Sequence, residues 1–253
     1  MGKKKLSTGW IVAIVVGAVV VIAGAVVGVL ALNGMFDTDK TGGESRNYNY
    51  DDCVTYEDGK KIVKLRCLPT AEKPMIYLYP ETETEVSVKL GAPEKLSVSY
   101  PLYEDGWKVL AEPSGKLTDL KTGRELYSLY WEGKDSIFEV TDEGFVVTGE
   151  NAATFLEEKL ALLGLTDREA EEFIVYWLPK MQENSYNYVR FASSAEIEEY
   201  MPLLVSPKPD TMIRVAMVLS ALDEPLELKK QVLPAKPERA GFTVVEWGGS
   251  LVK

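Results

Sequence analysis

Two hydrophobic rhythms organise this chain, and one stretch has no rhythm at all. From Trp10 to Leu32, 23 residues run without a charge or a Pro, and Val dominates them. A helix of that length is about 35 Å long, enough to cross a hydrocarbon core of roughly 30 Å with some tilt. After Pro74 the pattern becomes period-2. Met75–Tyr79 is an apolar run stopped by Pro80, and Val86, Val88 and Leu90 alternate with Glu85, Ser87 and Lys89. Leu96, Val98 and Tyr100 repeat that alternation against Lys95, Ser97 and Ser99, as half-buried antiparallel strands do. Further strands are predicted over Trp107–Ala111, Glu125–Trp131, Ser136–Val140 and Phe145–Thr148, with Gly-containing turns at Gly106, Gly115, Gly123 and Gly144 between them.

The period then changes to that of a helix. Phe155, Leu156, Leu160 and Leu163 recur at helical spacing over Ala152–Leu163, and Gly164 stands where a C-cap belongs. Thr166-Asp-Arg-Glu169 is a capping box, which predicts a second helix from about Asp167 to Leu178, stopped by Pro179. Strand patterns resume at Tyr186–Phe191, Met212–Leu219 and Gly241–Trp247. The expected fold class is α+β: an N-terminal transmembrane helix, then a mainly antiparallel, sandwich-like β domain carrying an αα-hairpin.

Charge orients this arrangement. The chain of 253 residues carries 28 basic and 39 acidic side chains, a net charge of −11. Lys3, Lys4 and Lys5 precede the apolar run, so the remaining 25 basic and 39 acidic residues leave −14 on the C-terminal side. Basic residues mark the cytoplasmic end of a span, which puts residues 1–9 in the cytoplasm and the large region outside the cell membrane. Residues 10–32 are then an uncleaved signal-anchor in contact with the bilayer. A cleaved signal peptide would have a shorter apolar core, and Ala31-Leu32-Asn33 is a poor cleavage site. Gly17, Gly24 and Gly28 share one helical face with Ala13, offering a close-packing stripe for a second copy or another membrane protein. The acidic outer region repels nucleic acid.

Residues 33–52 read as a flexible polar stalk, and 53–253 as the outer domain, with a sub-boundary near 133–143. Cys53 and Cys67 are the only cysteines and lie on the expected outer side, where an oxidising environment favours a disulfide. Between them Asp58-Gly59 separates two β-prone runs. A strict two-residue turn pairs Glu57 with Lys60, so a bulge or longer loop is needed to bring the two cysteines opposite each other.

The chain contains no His, which removes Ser–His–Asp and Cys–His nucleophile systems and His-ligated zinc. Phosphate-loop motifs are absent, acidic stretches lack the spacing of a calcium loop, and no cofactor or metal is expected. Aromatic residues Tyr127, Tyr130, Trp131, Trp177, Tyr186, Tyr188 and Trp247 are either a sugar-stacking platform or core, and Trp177 beside Phe173 and Ile174 reads as core. Glu246, between Val245 and Trp247 in an apolar strand, is the most unusual acid; Asp210 and Arg214 are placed to form an ion pair. Glu246, Trp247, Tyr186 and Tyr188 are the candidate binding residues.

Five stretches resemble a family of bacterial proteins that often carry an N-terminal membrane segment. They are Lys73-Pro-Met-Ile-Tyr-Leu-Tyr-Pro80, Leu129-Tyr-Trp-Glu-Gly133, Tyr176-Trp-Leu-Pro-Lys-Met181 with Asn184 and Tyr186, Pro207–Val215 and Gly241–Gly249. The resemblance covers roughly Lys73–Gly249 and implies one evolutionary unit at a bacterial surface; it brings no activity and no catalytic residue. The expected function is a single-pass membrane protein displaying an extracytoplasmic domain that binds a glycan or protein, or serves an assembly. The alternative is a surface hydrolase using two carboxylates on glycans, although the sequence leans away from an enzyme.

Overall fold

A computed structural model describes residues 54–57, 60–63 and 69–252. The expected span over Trp10–Leu32, its glycine stripe, the stalk and the Cys53–Cys67 pair lie outside these residues. Among the described residues no helix is long and apolar enough to cross a membrane.

The described residues are strand-rich and mixed α+β, with two principal sheets, mostly antiparallel, and three α-helices. Strands β1 (Val54–Glu57) and β2 (Lys60–Val63) form a separate antiparallel pair in which Glu57 faces Lys60, the register of a strict two-residue turn. The eight-stranded sheet contains β3 (Ala71–Tyr79), β5 (Leu96–Tyr100), β9 (Leu129–Gly133), β10 (Glu143–Thr148), β11 (Tyr186–Phe191), β13 (Thr211–Leu222), β14 (Lys229–Lys230) and β15 (Thr243–Leu251). Their order is β14-β10-β11-β13-β15-β3-β9-β5. The five-stranded sheet contains β4 (Thr84–Leu90), β6 (Trp107–Ala111), β7 (Leu117–Asp119), β8 (Glu125–Leu126) and β12 (Leu203–Ser206), in the order β12-β4-β6-β7-β8. Helices α1 (Ala152–Leu162), α2 (Asp167–Gln182) and α3 (Ser194–Tyr200) complete the fold.

Side-chain alternation builds three layers. Ile76 and Leu78 of β3, Ala216 and Val218 of β13 and Val244 of β15 join Val86, Val88, Trp107 and Val109 of the small sheet in one core. Met75, Tyr77, Val215, Met217, Val245 and Trp247 point the other way, into a second core closed by Leu156 and Leu160 of α1 and Phe173, Trp177 and Met181 of α2. The central strands are therefore buried on both faces, and their sequences read as nearly continuous apolar runs. β13 and β15 pair in parallel over nine residues, from Thr211 opposite Thr243 to Leu219 opposite Leu251, and β10 pairs in parallel with β14.

The expected helical hairpin is present. Gly164 has φ +94°, and the backbone N–H of Leu165 bonds to the Leu160 carbonyl at 3.1 Å, so the left-handed residue closes α1. Thr166 accepts from the Glu169 N–H while the Glu169 carboxylate accepts from Thr166 N–H, which is the full capping box. Pro179 does not stop α2, which runs to Gln182. The carbonyl four residues back belongs to Val175, 70% exposed, so solvent can satisfy the acceptor that Pro179 deprives.

Other expectations change. Val98 and Tyr100 are 45% and 48% exposed because β5 is the outermost strand and slips register against β9 between Leu96 and Val98. Glu125–Trp131 is two strands in different sheets, with Tyr127 and Ser128 crossing between them. Ser136–Val140 is irregular, preceded by Asp135 at φ +57°. Its polar groups are served locally instead: Ser136 N–H bonds to the Pro69 carbonyl and Ser136 Oγ lies 2.8 Å from Ser250 Oγ. Helix α3, unread in the sequence, opens with a second capping box at Ser193 and Glu196.

Candidate binding site

The four residues singled out from sequence do not share a surface. Trp247 is fully buried, packs edge-on against Phe173 at 5.4 Å, and donates its indole N–H to Tyr77 Oη at 3.1 Å. Tyr188 is fully buried in the core between the sheets, donating to the Glu143 carbonyl at 2.8 Å. Tyr186 is half-buried at the start of β11. Glu246 is buried on the opposite face of β15 from Trp247.

Glu246 belongs to a closed polar network. Its Oε2 accepts from Arg214 Nε at 2.7 Å and its Oε1 from the Trp131 indole at 3.0 Å. Arg214 also reaches Glu198 of α3 at 2.8 Å and the Met201 carbonyl at 2.8 Å. The expected Asp210–Arg214 pair does not form. Asp210 accepts the Phe242 N–H at 2.8 Å instead, and Arg214 finds Glu246 because the two are cross-strand partners in the parallel pair. The cavity beside this network is about 20 Å³, room for a single water and nothing larger. With both Glu246 oxygens engaged, the network fastens α3 to the sheet rather than presenting a reactive carboxylate. Arg190 repeats the arrangement, forking onto Glu196 at 3.2 and 2.9 Å.

An open pocket of about 700 Å³ lies where the chain crosses from the small sheet to the large one. Lys73, Tyr100, Arg124, Glu125, Tyr127 and Tyr130 line it. Three local irregularities build it. Tyr100 ends the edge strand β5, Tyr127 sits in the crossing between β8 and β9, and Lys73 occupies a register shift in β3 with φ +59°. A side chain at that backbone angle is strained by about 1–2 kcal/mol, held there by the surrounding pairing.

Within residues 69–252, Tyr100 and Tyr127, each 48% exposed, are the most exposed aromatic side chains, and both line this pocket. The cations beside them rest on phenols. Arg124 Nη1 donates to Tyr100 Oη at 2.9 Å, and Lys73 Nζ lies 5.4 Å from the centre of the Tyr130 ring and 5.7 Å from that of Tyr176. Arg168 stacks over Tyr127 at 5.5 Å. Burial, reinforced by Glu132 and then Glu72, pushes the Tyr130 phenol well above its ordinary range. Burial and Glu72 do the same to Tyr176, which donates to Glu72 at 3.0 Å. These phenols stay protonated at neutral pH, as hydrogen-bond donors and apolar faces rather than bases.

Of these residues, Tyr127 and Tyr130 were candidates for a stacking platform in the sequence, while Lys73, Tyr100 and Arg124 were not. Tyr100 was masked by an alternation that reads as burial, and Arg124 reaches Tyr100 only through the fold. Among the described residues no group of three or more His, Cys, Asp or Glu is placed to hold a metal ion. Compared with known proteins, the chain matches no family model, no curated protein and no solved structure.

Proposed function

We propose that this chain is a membrane-anchored display protein whose outer domain binds saccharide through the tyrosine-lined pocket. The observation that carries the reading is that Tyr100 and Tyr127, the most exposed aromatics of residues 69–252, converge with Tyr130 on one open pocket. Flat rings with polar tips match a pyranose, which has an apolar face and a rim of hydroxyls. Lys3, Lys4 and Lys5 ahead of the uncharged run over residues 10–32, together with the resemblance to bacterial proteins that often carry an N-terminal membrane segment, support the display role.

Binding is favoured over hydrolysis. Cleaving a glycosidic bond takes two carboxylates about 5–9 Å apart, whereas Glu125 is the single carboxylate lining the pocket, with Lys116 3.6 Å away. The test is calorimetric titration of the full chain in phosphatidylcholine nanodiscs with cell-wall and plant oligosaccharides. Binding is expected at micromolar to millimolar levels, and Tyr127→Ala is expected to abolish it without loss of fold. Binding that survives both Tyr100→Ala and Tyr127→Ala would place the ligand elsewhere, and release of reducing sugar would establish the hydrolase reading. A membrane-impermeant amine reagent applied to intact cells is expected to label the outer domain; labelling only after lysis would overturn the orientation.

A further inference from the structure

We propose that the pocket selects saccharides bearing a carboxylate, of the uronate type, with Arg124 and Lys73 as the recognising cations. This inference rests on the pocket being a saccharide site and adds what its charge demands.

The domain is strongly acidic, with 25 basic and 39 acidic residues after the N-terminal lysines, yet the pocket presents two cations against one carboxylate. That carboxylate, Glu125, lies 3.6 Å from Lys116 outside the pocket. Neither Arg124 nor Lys73 has a carboxylate within ion-pair distance among the described residues. Their fixed contacts are a phenol hydroxyl and phenol faces, which orient a cation without cancelling its charge. The nearby acids are turned elsewhere or lie outside the lining. Glu72 takes the Tyr176 hydroxyl at 3.0 Å and Lys180 at 3.2 Å, Glu172 takes the Tyr77 hydroxyl at 2.6 Å, and Glu132 stands beside Tyr130 without lining the pocket.

A guanidinium has five N–H donors in a planar fork, and Tyr100 uses one of them. The remainder suit a carboxylate, with which Arg forms paired, charge-assisted hydrogen bonds. Lys73 is held at φ +59°, a geometry that carries strain for any residue but Gly or Asn. Its ammonium stands 5.4 Å from the centre of the Tyr130 ring, and Lys73 and Arg124 line the same pocket. A sugar ring packed against the exposed Tyr127 side chain can then carry its carboxylate toward the two cations.

The test compares galacturonate trisaccharide with its fully methyl-esterified form, the same rings without the charge, titrated into the full chain in phosphatidylcholine nanodiscs. The acid is expected to bind on the order of tenfold or more tightly than the ester, a preference that shrinks with added salt. Arg124→Gln and Lys73→Gly are each expected to remove most of that preference by weakening the acid far more than the ester. Gly accepts φ +59° freely, so Lys73→Gly removes the ammonium without endangering the fold. Equal affinity for acid and ester overturns the selectivity and leaves the saccharide reading standing. No binding of either compound at millimolar concentration overturns both. A preference that persists in both variants overturns the assignment to Arg124 and Lys73.

Discussion

Replacing Arg214 by Met probes how α3 is held. Arg214 and Glu246 side chains are each 6% exposed, and the guanidinium spends its donors on Glu246, Glu198 and the Met201 carbonyl at 2.7–2.8 Å. Met keeps the length and apolar stem but leaves the buried Glu246 carboxylate with the Trp131 indole as its remaining partner. Removing one member of a buried pair costs about 3–5 kcal/mol, a large part of a total stability of roughly 5–15 kcal/mol. Adding Glu246→Gln removes the stranded charge while its amide oxygen still accepts from Trp131. The double variant is therefore expected to be about 2 kcal/mol more stable than Arg214→Met alone, since what remains lost is mainly neutral hydrogen bonding. Urea unfolding of the full chain, followed by Trp fluorescence, measures both shifts. The reasoning fails if Arg214→Met lies within 1 kcal/mol of the native chain, or if the double variant is less stable than the single one.

Further expectations follow from other contacts. Gly115 has φ +83°, and a Cβ there would stand 2.5 Å from the Tyr79 ring, so Gly115→Ala is expected to cost about 1–3 kcal/mol in the same urea assay. Thr166→Ala removes the N-cap of α2 and is expected to cost about 1 kcal/mol. Burial alone would raise Glu196, but Arg190 and Ser193 outweigh it and hold the carboxyl below its ordinary 4.5. A depressed carboxyl contributes stability above its unfolded pKa and loses it as pH falls through the folded value. Protection of the α3 amides, measured against the intrinsic exchange rate at each pH, is thus expected to fall below about pH 4.5, and Arg190→Gln to weaken that dependence. Alkylation before and after reduction, read by mass spectrometry, is expected to find Cys53 and Cys67 blocked until reductant is added.

The local signals in this chain were those that act within a few residues. Thr166 and Glu169 meet because a helix start brings positions three apart together, and Gly164 ends α1 because its own backbone tolerates φ +94°. The alternation of Val86, Val88 and Leu90 marked a buried face because strand geometry alone sends every second side chain the same way. Tertiary structure decided what depends on distant partners. Tyr100 carries the same alternation as a buried residue, yet β5 ends as the edge strand, so no neighbour covers it. Glu246 stood out as an acid in an apolar strand, and the parallel pairing of β13 and β15 accounts for it by setting Arg214 beside it. The pocket has the same origin. Lys73, Tyr100 and the Arg124–Tyr127 stretch come from three separate segments, and the sequence singled out none of Lys73, Tyr100 and Arg124. They meet only where one sheet hands the chain to the other.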